Sequence, residues 1–228
     1  MRGIEMIKAV VFDMDGVLFD TESISFRCFF EAARQLGIRI TEEAVYGCFG
    51  LNETDGKAHV LRSMEHVYPN GTFPYEAFRK KLGELFEEEL QKGVPVMKGV
   101  RELLDFLRKK KIKTAVASST NYRRVMRNLE TNGLAEYFEQ IITGDMVKHS
   151  KPQPDIYQKA CQALSVEPPY AMAVEDSPNG IRSAAAAGMV AVMVPDMIMP
   201  TEELAALYDM KFDSLHELRE YLEKELGA

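Results

Sequence analysis

Two aspartates separated by one residue, Asp13 and Asp15, offer a pair of carboxylates for nucleophilic and acid–base chemistry. If the chain stays extended, side chains two residues apart leave the same side of it. One carboxylate can then attack a phosphorus atom as a covalent nucleophile. The other can protonate the leaving oxygen and later deprotonate the attacking water or alcohol. Such a pair alone is also typical of a turn, so the interpretation depends on other polar segments.

Three further polar segments carry residues that suit the same chemistry. Ser118 and the backbone N–H groups around Ser119 can bind phosphate oxygens at a helix N-terminus. Lys151 supplies a positive charge for a phosphate and can pair with a nearby carboxylate, while Glu175 and Asp176 add two more carboxylates. Arginine is absent from these segments, so Lys151 and a metal are expected to supply most of the positive charge.

The carboxylates together predict a metal site. Like charges that lie close together raise one another's pKa, so four carboxylates cannot all be ionised without a cation. A hard divalent ion resolves this, and Mg²⁺ prefers oxygen ligands together with a substrate phosphate. The candidate metal ligands are Asp13, Asp15, Glu175 and Asp176.

The elements that must position these segments are strands that alternate with helices. Apolar runs rich in β-branched residues predict buried parallel strands at residues 8–12, 113–117, 140–143, 170–174 and 190–194. Between and after them, helical patterns cover residues 99–110 and 121–131, a segment from Ser177 to Gly188, and a last helix with a capping-box pattern at Ser214 and Glu217. This alternation predicts an α/β fold with a doubly wound parallel sheet, whose ligands bind at the carboxyl ends of the strands. Because the polar segments follow strand ends, we expect their side chains to converge.

The stretch between the first two strands has a different pattern. It has almost no β-branched runs, and its apolar residues recur three or four apart, which is typical of helices. We therefore expect a small all-helical domain inserted after the first strand. The predicted division is residues 1–20 and 93–228 for the α/β core and residues 21–92 for the inserted helical domain.

Composition excludes several classes of protein. The 228 residues carry a net charge of −7, which argues against a nucleic-acid partner. No apolar run approaches the roughly 18–20 residues that span a bilayer, and no signal-peptide pattern opens the chain, so we expect no membrane partner. Three cysteines without metal-like spacing are expected to be reduced thiols, which favours a cytoplasmic location. We expect a monomer that acts on a small phosphorylated metabolite.

Four segments carry a resemblance to the haloacid dehalogenase-like superfamily of phosphotransferases: residues 11–18, 117–119, 150–155 and 174–180. The subgroup that the chain resembles is that of β-phosphoglucomutase and the small sugar-phosphate phosphatases. The resemblance implies a Rossmann-like core with a mobile helical cap, and it implies Mg²⁺ as cofactor.

The resemblance also implies roles for individual residues. Asp13 would be the nucleophile that becomes an aspartyl phosphate. Asp15 would be the general acid/base and would give a backbone carbonyl to Mg²⁺. In the catalytic cycle Ser118 and Lys151 would hold the phosphate, with Ser119 beside them. The acidic pair at 175–176 would complete the metal site, one residue directly and the other directly or through water.

Two departures from β-phosphoglucomutase bear on the fate of the phosphate. Ser25 stands where the mutase carries a histidine that restrains its acid/base aspartate. The cap segment 47–57 has no arginine to grip a second phosphate, although Asn52 and Lys57 are candidate substrate-binding residues there. Both departures favour a phosphatase over a phosphomutase, which stays the alternative. A non-catalytic binding protein on this fold is a third hypothesis, which the complete acid set disfavours.

Overall fold

The computed structural model describes residues 4–49 and 53–227. Within them the chain forms two compact units. One unit comprises the chain up to Phe19 and from Val96 onward, and the other comprises Asp20–Pro95. The first boundary predicted from the sequence, after residue 20, lies one residue later than the observed division. The second predicted boundary, after residue 92, lies three residues earlier than the observed one.

The two chain segments at the boundary are paired. The backbone N–H of Asp20 donates to the carbonyl of Pro95 at 2.9 Å, within the Asp20–Pro95 unit. Phe19 and Val96 form an antiparallel bridge within the other unit. The ends of the inserted segment therefore lie side by side.

The first unit is built on a six-stranded sheet in which every pair of neighbours is parallel. Its strands are β1 (Ala9–Phe12), β2 (Lys113–Ser118), β3 (Gln140–Thr143), β4 (Ala171–Glu175), β5 (Val190–Met193) and β6 (Met210–Lys211). The order β3-β2-β1-β4-β5-β6 is the doubly wound Rossmann order, so the predicted α/β fold is confirmed. Every residue of β1, β4 and β5 is buried, which explains their continuous apolar runs.

The described residues of the Asp20–Pro95 unit contain helices and no strand. The helices are α1 (Thr21–Leu36), α2 (Glu42–Tyr46), α3 (Glu53–Ser63) and α4 (Tyr75–Gln91). The rings of Phe29 on α1 and Phe78 on α4 are 5.8 Å apart, and both are buried. The three- and four-residue spacing of apolar residues in these helices gives the unit its own core.

Six further helices belong to the unit that holds the sheet: α5 (Val100–Lys109), α6 (Tyr122–Thr131), α7 (Asp155–Leu164), α8 (Pro178–Ala186), α9 (Glu202–Ala205) and α10 (Leu215–Leu226). The Ser177 hydroxyl caps α8 by accepting from the N–H of Gly180 at 3.1 Å. Ser214 caps α10, but the Glu217 carboxylate accepts from the N–H of Asp213 rather than from Ser214. Of the two hydrogen bonds in the predicted capping box, the one from Glu217 N–H to Ser214 is therefore present, and the one to the Glu217 carboxylate comes from the N–H one residue earlier.

Alternate residues of the central strands form an apolar core on one face of the sheet. Side chains of α7 and α8, including Tyr157, Ile181 and Ala184, pack with Val11 and Ala173 of the central strands. The three cysteines are free thiols, as expected. In the described part of the chain, no helix has both the length and the hydropathy of a bilayer-spanning segment.

Candidate active site

The central strands β1 and β4 deliver the predicted carboxylates to one point. They are neighbours in the sheet, and the N–H of Asp13, just beyond β1, donates to the carbonyl of Val174 on β4 at 3.0 Å. Carboxylate oxygens of Asp13, Glu175 and Asp176 all lie within 4.8 Å of one another, and all three residues are buried. The carboxylate of Asp15 does not belong to this group. The cluster lies between two strands from which the chain winds in opposite directions, the usual place for a ligand in such sheets.

Lys151 joins the acids to β2. Its Nζ binds Asp13 Oδ1, donates to Glu175 Oε1 at 2.6 Å and donates to the carbonyl of Ala117 at 2.9 Å. An ammonium group has three N–H donors, so all three are in use. A phosphoryl oxygen that binds Lys151 must therefore replace one of these acceptors.

Glu175 is held from several sides. Besides Lys151, Oε1 accepts from the Tyr157 hydroxyl at 2.7 Å, and Oε2 accepts from the Ser177 hydroxyl at 3.1 Å. Gly180 packs against the carboxylate so closely that a Cβ built there would lie 1.8 Å from Glu175 Cδ. The carboxylate is fully buried. It is therefore confined to one position by hydrogen bonds and by backbone.

Tyr157 was not among the residues that the sequence predicted. In the sequence it reads as one more apolar position following Lys151, and no local pattern shows that its hydroxyl contacts a residue 18 positions away. Burial and the charge of Glu175 raise the pKa of the Tyr157 hydroxyl well above its usual value, so it stays protonated and can only donate to the carboxylate.

The loop after β2 holds Asp15. The Thr120 hydroxyl donates to Asp15 Oδ2 at 2.9 Å, and the N–H of Thr120 donates to the Ser118 hydroxyl oxygen at 3.1 Å. Ser118 is fully buried, whereas Ser119 is exposed. Thr120 is a second residue that the sequence did not single out, although it follows the predicted serine pair directly.

Positive charge near Asp15 also comes from an arginine. Arg124, in the first turn of α6, is partly buried, and this burial lowers the pKa of its guanidinium, while the charge of Asp15 counteracts the shift. The strand-end segments contain no arginine, but Arg124 follows the second of them within one helix turn and adds positive charge near Asp15 that the sequence analysis did not consider.

Gly16 lets the chain turn beside the acids. Its φ is +77°, a left-handed conformation that favours glycine, and a Cβ there would lie 2.3 Å from Asp176 Oδ2. Asp176 and the turn after Asp15 are therefore in direct contact, which no other residue type at position 16 would permit.

The electrostatics of the cluster indicate a shortage of positive charge. Burial, followed by the charges of Glu175 and Asp15, raises the pKa of Asp13 to about 8 although Lys151 lowers it. For Lys151 itself burial acts in the opposite direction, but Asp13 and Glu175 together raise its pKa above the usual value. Three buried carboxylates with one ammonium suit a divalent cation with a preference for oxygen ligands, so the donor set fits Mg²⁺.

Two candidate residues were predicted in the inserted segment. Asn52 lies outside the described residues. Lys57, on α3, has its Nζ 2.5 Å from Glu76 Oε1 and 5.0 Å from the centre of the Tyr75 ring. Ser25, on α1, lines a cavity of about 250 Å³ within the same unit.

The chain is similar to proteins of known family. Residues 10–194 match the family described as haloacid dehalogenase-like hydrolase. A phosphorylated carbohydrates phosphatase from Thermotoga maritima is 34% identical over 183 residues, which cover 80% of this chain and 82% of the relative. Solved structures of CbbY from Rhodobacter sphaeroides, one with phosphate and one with xylulose-(1,5)bisphosphate, are each 31% identical with a TM-score of 0.72, and the match covers 93% of this chain and 96% of theirs.

Proposed function

The chain belongs to the haloacid dehalogenase-like hydrolase family, and from that membership we propose that it hydrolyses a small phosphorylated carbohydrate with Mg²⁺ through an aspartyl phosphate on Asp13. It is a phosphoric monoester hydrolase of that family. The observation that carries the proposal is Asp13 itself, buried between Lys151 and two further carboxylates and followed two residues later by Asp15. The name of the Thermotoga maritima relative supports phosphorylated carbohydrates as the substrate class.

The metal would be held by the carboxylates that the structure brings together. Asp13, Glu175 and Asp176 would provide carboxylate oxygens, and Asp15 would provide its backbone carbonyl. When bound, Mg²⁺ supplies positive charge that neutralises the phosphoryl group and stabilises ionised Asp13.

In the first step, a carboxylate oxygen of Asp13 bonds to phosphorus while the bond from phosphorus to the ester oxygen breaks. Asp15, in its acid form, gives its proton to that oxygen, and the alcohol leaves. The Thr120 hydroxyl on Asp15 Oδ2 orients this carboxyl group and leaves Oδ1 for the proton transfer. One N–H of Lys151 moves to a phosphoryl oxygen.

In the second step, the Asp15 carboxylate takes a proton from water. The water oxygen bonds to phosphorus while the bond from phosphorus to Asp13 breaks, which releases inorganic phosphate and restores the Asp13 carboxylate. Ser118 would donate its hydroxyl hydrogen to a phosphoryl oxygen. In the structure its oxygen accepts from the N–H of Thr120, which leaves that hydrogen for another acceptor.

The proposal is tested by comparing Asp13→Asn with the wild-type protein on a panel of sugar phosphates and a generic phosphate ester. We expect Mg²⁺-dependent release of inorganic phosphate from the wild type and none from the variant. Asp105→Asn is the control, because Asp105 is a surface aspartate paired with Arg108. Unchanged turnover in Asp13→Asn would refute the mechanism. Formation of an isomeric sugar phosphate without phosphate release would instead identify a phosphomutase.

A further inference from the structure

Tyr157 contacts two members of the acid–lysine cluster at once. Its hydroxyl donates to Glu175 Oε1 at 2.7 Å, and the Nζ of Lys151 lies 5.0 Å from the centre of its ring. The residue is completely buried on α7, which begins four residues after Lys151. The same side chain therefore supports the carboxylate with its hydroxyl and the ammonium with its aromatic face.

Packing alone does not account for this hydroxyl. A phenylalanine would fill the same apolar volume between α7 and the sheet without placing a polar group in the core. The hydroxyl is instead paired with a fully buried carboxylate, and a hydrogen bond to a charged group is stronger than one between neutral groups. The contact is therefore aimed at Glu175.

The contact matters most when Lys151 engages a phosphoryl group. In the structure the three N–H groups of Lys151 donate to Asp13, Glu175 and the carbonyl of Ala117. When one donor moves to a phosphoryl oxygen, Glu175 still accepts from Tyr157 and from Ser177. Glu175 can thus keep its place beside Asp13 and Asp176 although the ammonium reorients.

We propose that Tyr157 is a positioning residue that fixes Glu175 for the divalent cation and limits the movement of Lys151. This inference rests on the proposed function, because it assumes that Glu175 belongs to the metal site. The hydroxyl acts on the metal through Glu175, and the ring acts on the substrate phosphate through Lys151. The two parts of the side chain can therefore be separated by substitution.

The test is a calorimetric titration of the intact protein with Mg²⁺ alone, for the wild type and for Tyr157→Phe. Removal of the hydroxyl keeps the ring under Lys151, and we expect the dissociation constant for Mg²⁺ to rise about 10-fold or more, as for other outer-sphere partners of metal ligands. Turnover of Tyr157→Phe should return toward the wild-type rate as Mg²⁺ is raised. Tyr157→Leu also removes the ring beside Lys151, so it should raise the KM for substrate as well. Excess Mg²⁺ should not bring this KM back to the wild-type value.

Tyr137→Phe is a matched control. The Tyr137 hydroxyl donates to Asp105 at 2.8 Å, and the guanidinium of Arg108 lies 4.4 Å from its ring centre, so the same two contacts occur in a pair of elements outside the cluster. We expect this variant to bind Mg²⁺ like the wild type. A thermal melt of each variant sets an assay temperature at which all are folded.

A second measurement follows the near-ultraviolet absorbance of the tyrosines, first in the wild-type protein and then in the variants. The chain has no tryptophan, so its near-ultraviolet absorbance is dominated by tyrosine. Mg²⁺ should perturb that band in the wild type, and the perturbation should be smaller in Tyr157→Phe but not in Tyr137→Phe. A wild-type spectrum that stays unchanged at saturating Mg²⁺ would overturn the inference.

The remaining outcomes are also distinct. A Tyr157→Phe protein with the Mg²⁺ affinity of the wild type would overturn the inference and leave the proposed function standing. A loss of activity in Tyr157→Phe that no concentration of Mg²⁺ restores would assign the hydroxyl a purely structural role and would likewise overturn the inference. A wild-type protein that binds no Mg²⁺ would refute the metal site, and with it both proposals.

Discussion

Replacing Gly180 by alanine tests whether the position of Glu175 matters as much as its charge. A Cβ at residue 180 would lie 1.8 Å from Glu175 Cδ and 1.9–2.0 Å from its two carboxylate oxygens. Ordinary contact begins at 3.4 Å, so the carboxylate and α8 must separate by about 1.6 Å. The backbone of Gly180 has an ordinary helical conformation, so alanine itself introduces no φ strain.

The expected magnitude follows from what that displacement breaks. A shift of this size lengthens the 2.7 Å bond from Tyr157 and the 3.1 Å bond from Ser177 beyond hydrogen-bonding distance. A hydrogen bond to a charged group is worth about 1.5–3 kcal/mol, and overpacking a core costs about 1–3 kcal/mol. Alanine in a helix regains up to about 1 kcal/mol. We therefore expect Gly180→Ala to lower the free energy of unfolding by at least about 3 kcal/mol and to weaken Mg²⁺ binding at least about 10-fold.

Gly83→Ala is the matched control for this experiment. Gly83 lies inside α4, its φ is also ordinary, and its nearest neighbour to a built Cβ is Arg79 Nη1 at 3.6 Å. Since nothing has to move, we expect this variant to gain about 0.5–1 kcal/mol from helix propensity. Both variants are compared by denaturant unfolding and by Mg²⁺ titration. If Gly180→Ala unfolds and binds Mg²⁺ like the wild type, the argument that Glu175 is confined by backbone is wrong.

Three further predictions concern the groups around Asp13 and Asp15. Thr120→Val should lower kcat about 10-fold or more because Asp15 loses its hydrogen-bond donor. Thr120→Ser keeps a hydroxyl and should retain most of the rate. Equal rates for the two variants would contradict a role of the Thr120 hydroxyl in orienting Asp15. Lys151→Met should destabilise the metal-free protein by about 3–5 kcal/mol, since Asp13 and Glu175 lose their buried cation. Mg²⁺ should therefore raise the Tm of this variant more than that of the wild type. An equal rise in the two proteins would show that Mg²⁺ does not replace the ammonium group in neutralising these carboxylates. Removing divalent ions from the wild type with a chelator should lower the Tm measured by thermal melts. Adding Mg²⁺ at about 100 times its Kd should restore about 2.7 kcal/mol of folding free energy, or roughly 5–10 °C in Tm. A Tm that does not depend on Mg²⁺ would show that the folded protein does not bind the ion.

Much of the sheet was predictable because its central strands are buried on both faces. Such strands appear as continuous apolar, β-branched runs, and β3 has the predicted bounds while β1, β2, β4 and β5 begin or end within one residue of them. The strand β6 was not predicted, because its two residues, one of them a lysine, are too few to show a pattern. The helix α7 was also missed, since it follows the Lys151-Pro152 segment without a capping side chain.

The candidate site was predictable only in part, for a different reason. Glu175 and Asp176 could be located from the sequence because they follow the end of a buried strand, and strand ends meet at one edge of a parallel sheet. Tyr157 and Thr120 could not, because each acts through a contact with a residue far away in the chain. The roles of the predicted residues remain predictions until the variants are measured, and Asn52 lies outside the described residues.

The paired segments at the boundary between the units have a consequence for how this protein can change. The ends of Asp20–Pro95 lie side by side, and lengthening the chain between two such ends adds only about 0.6 kcal/mol of closure cost per doubling. Among the residues that the structure describes, the three clustered carboxylates and Lys151 belong to the unit that holds the sheet. We therefore expect the inserted segment to accept changes in sequence and length that leave the groups around Asp13 in place.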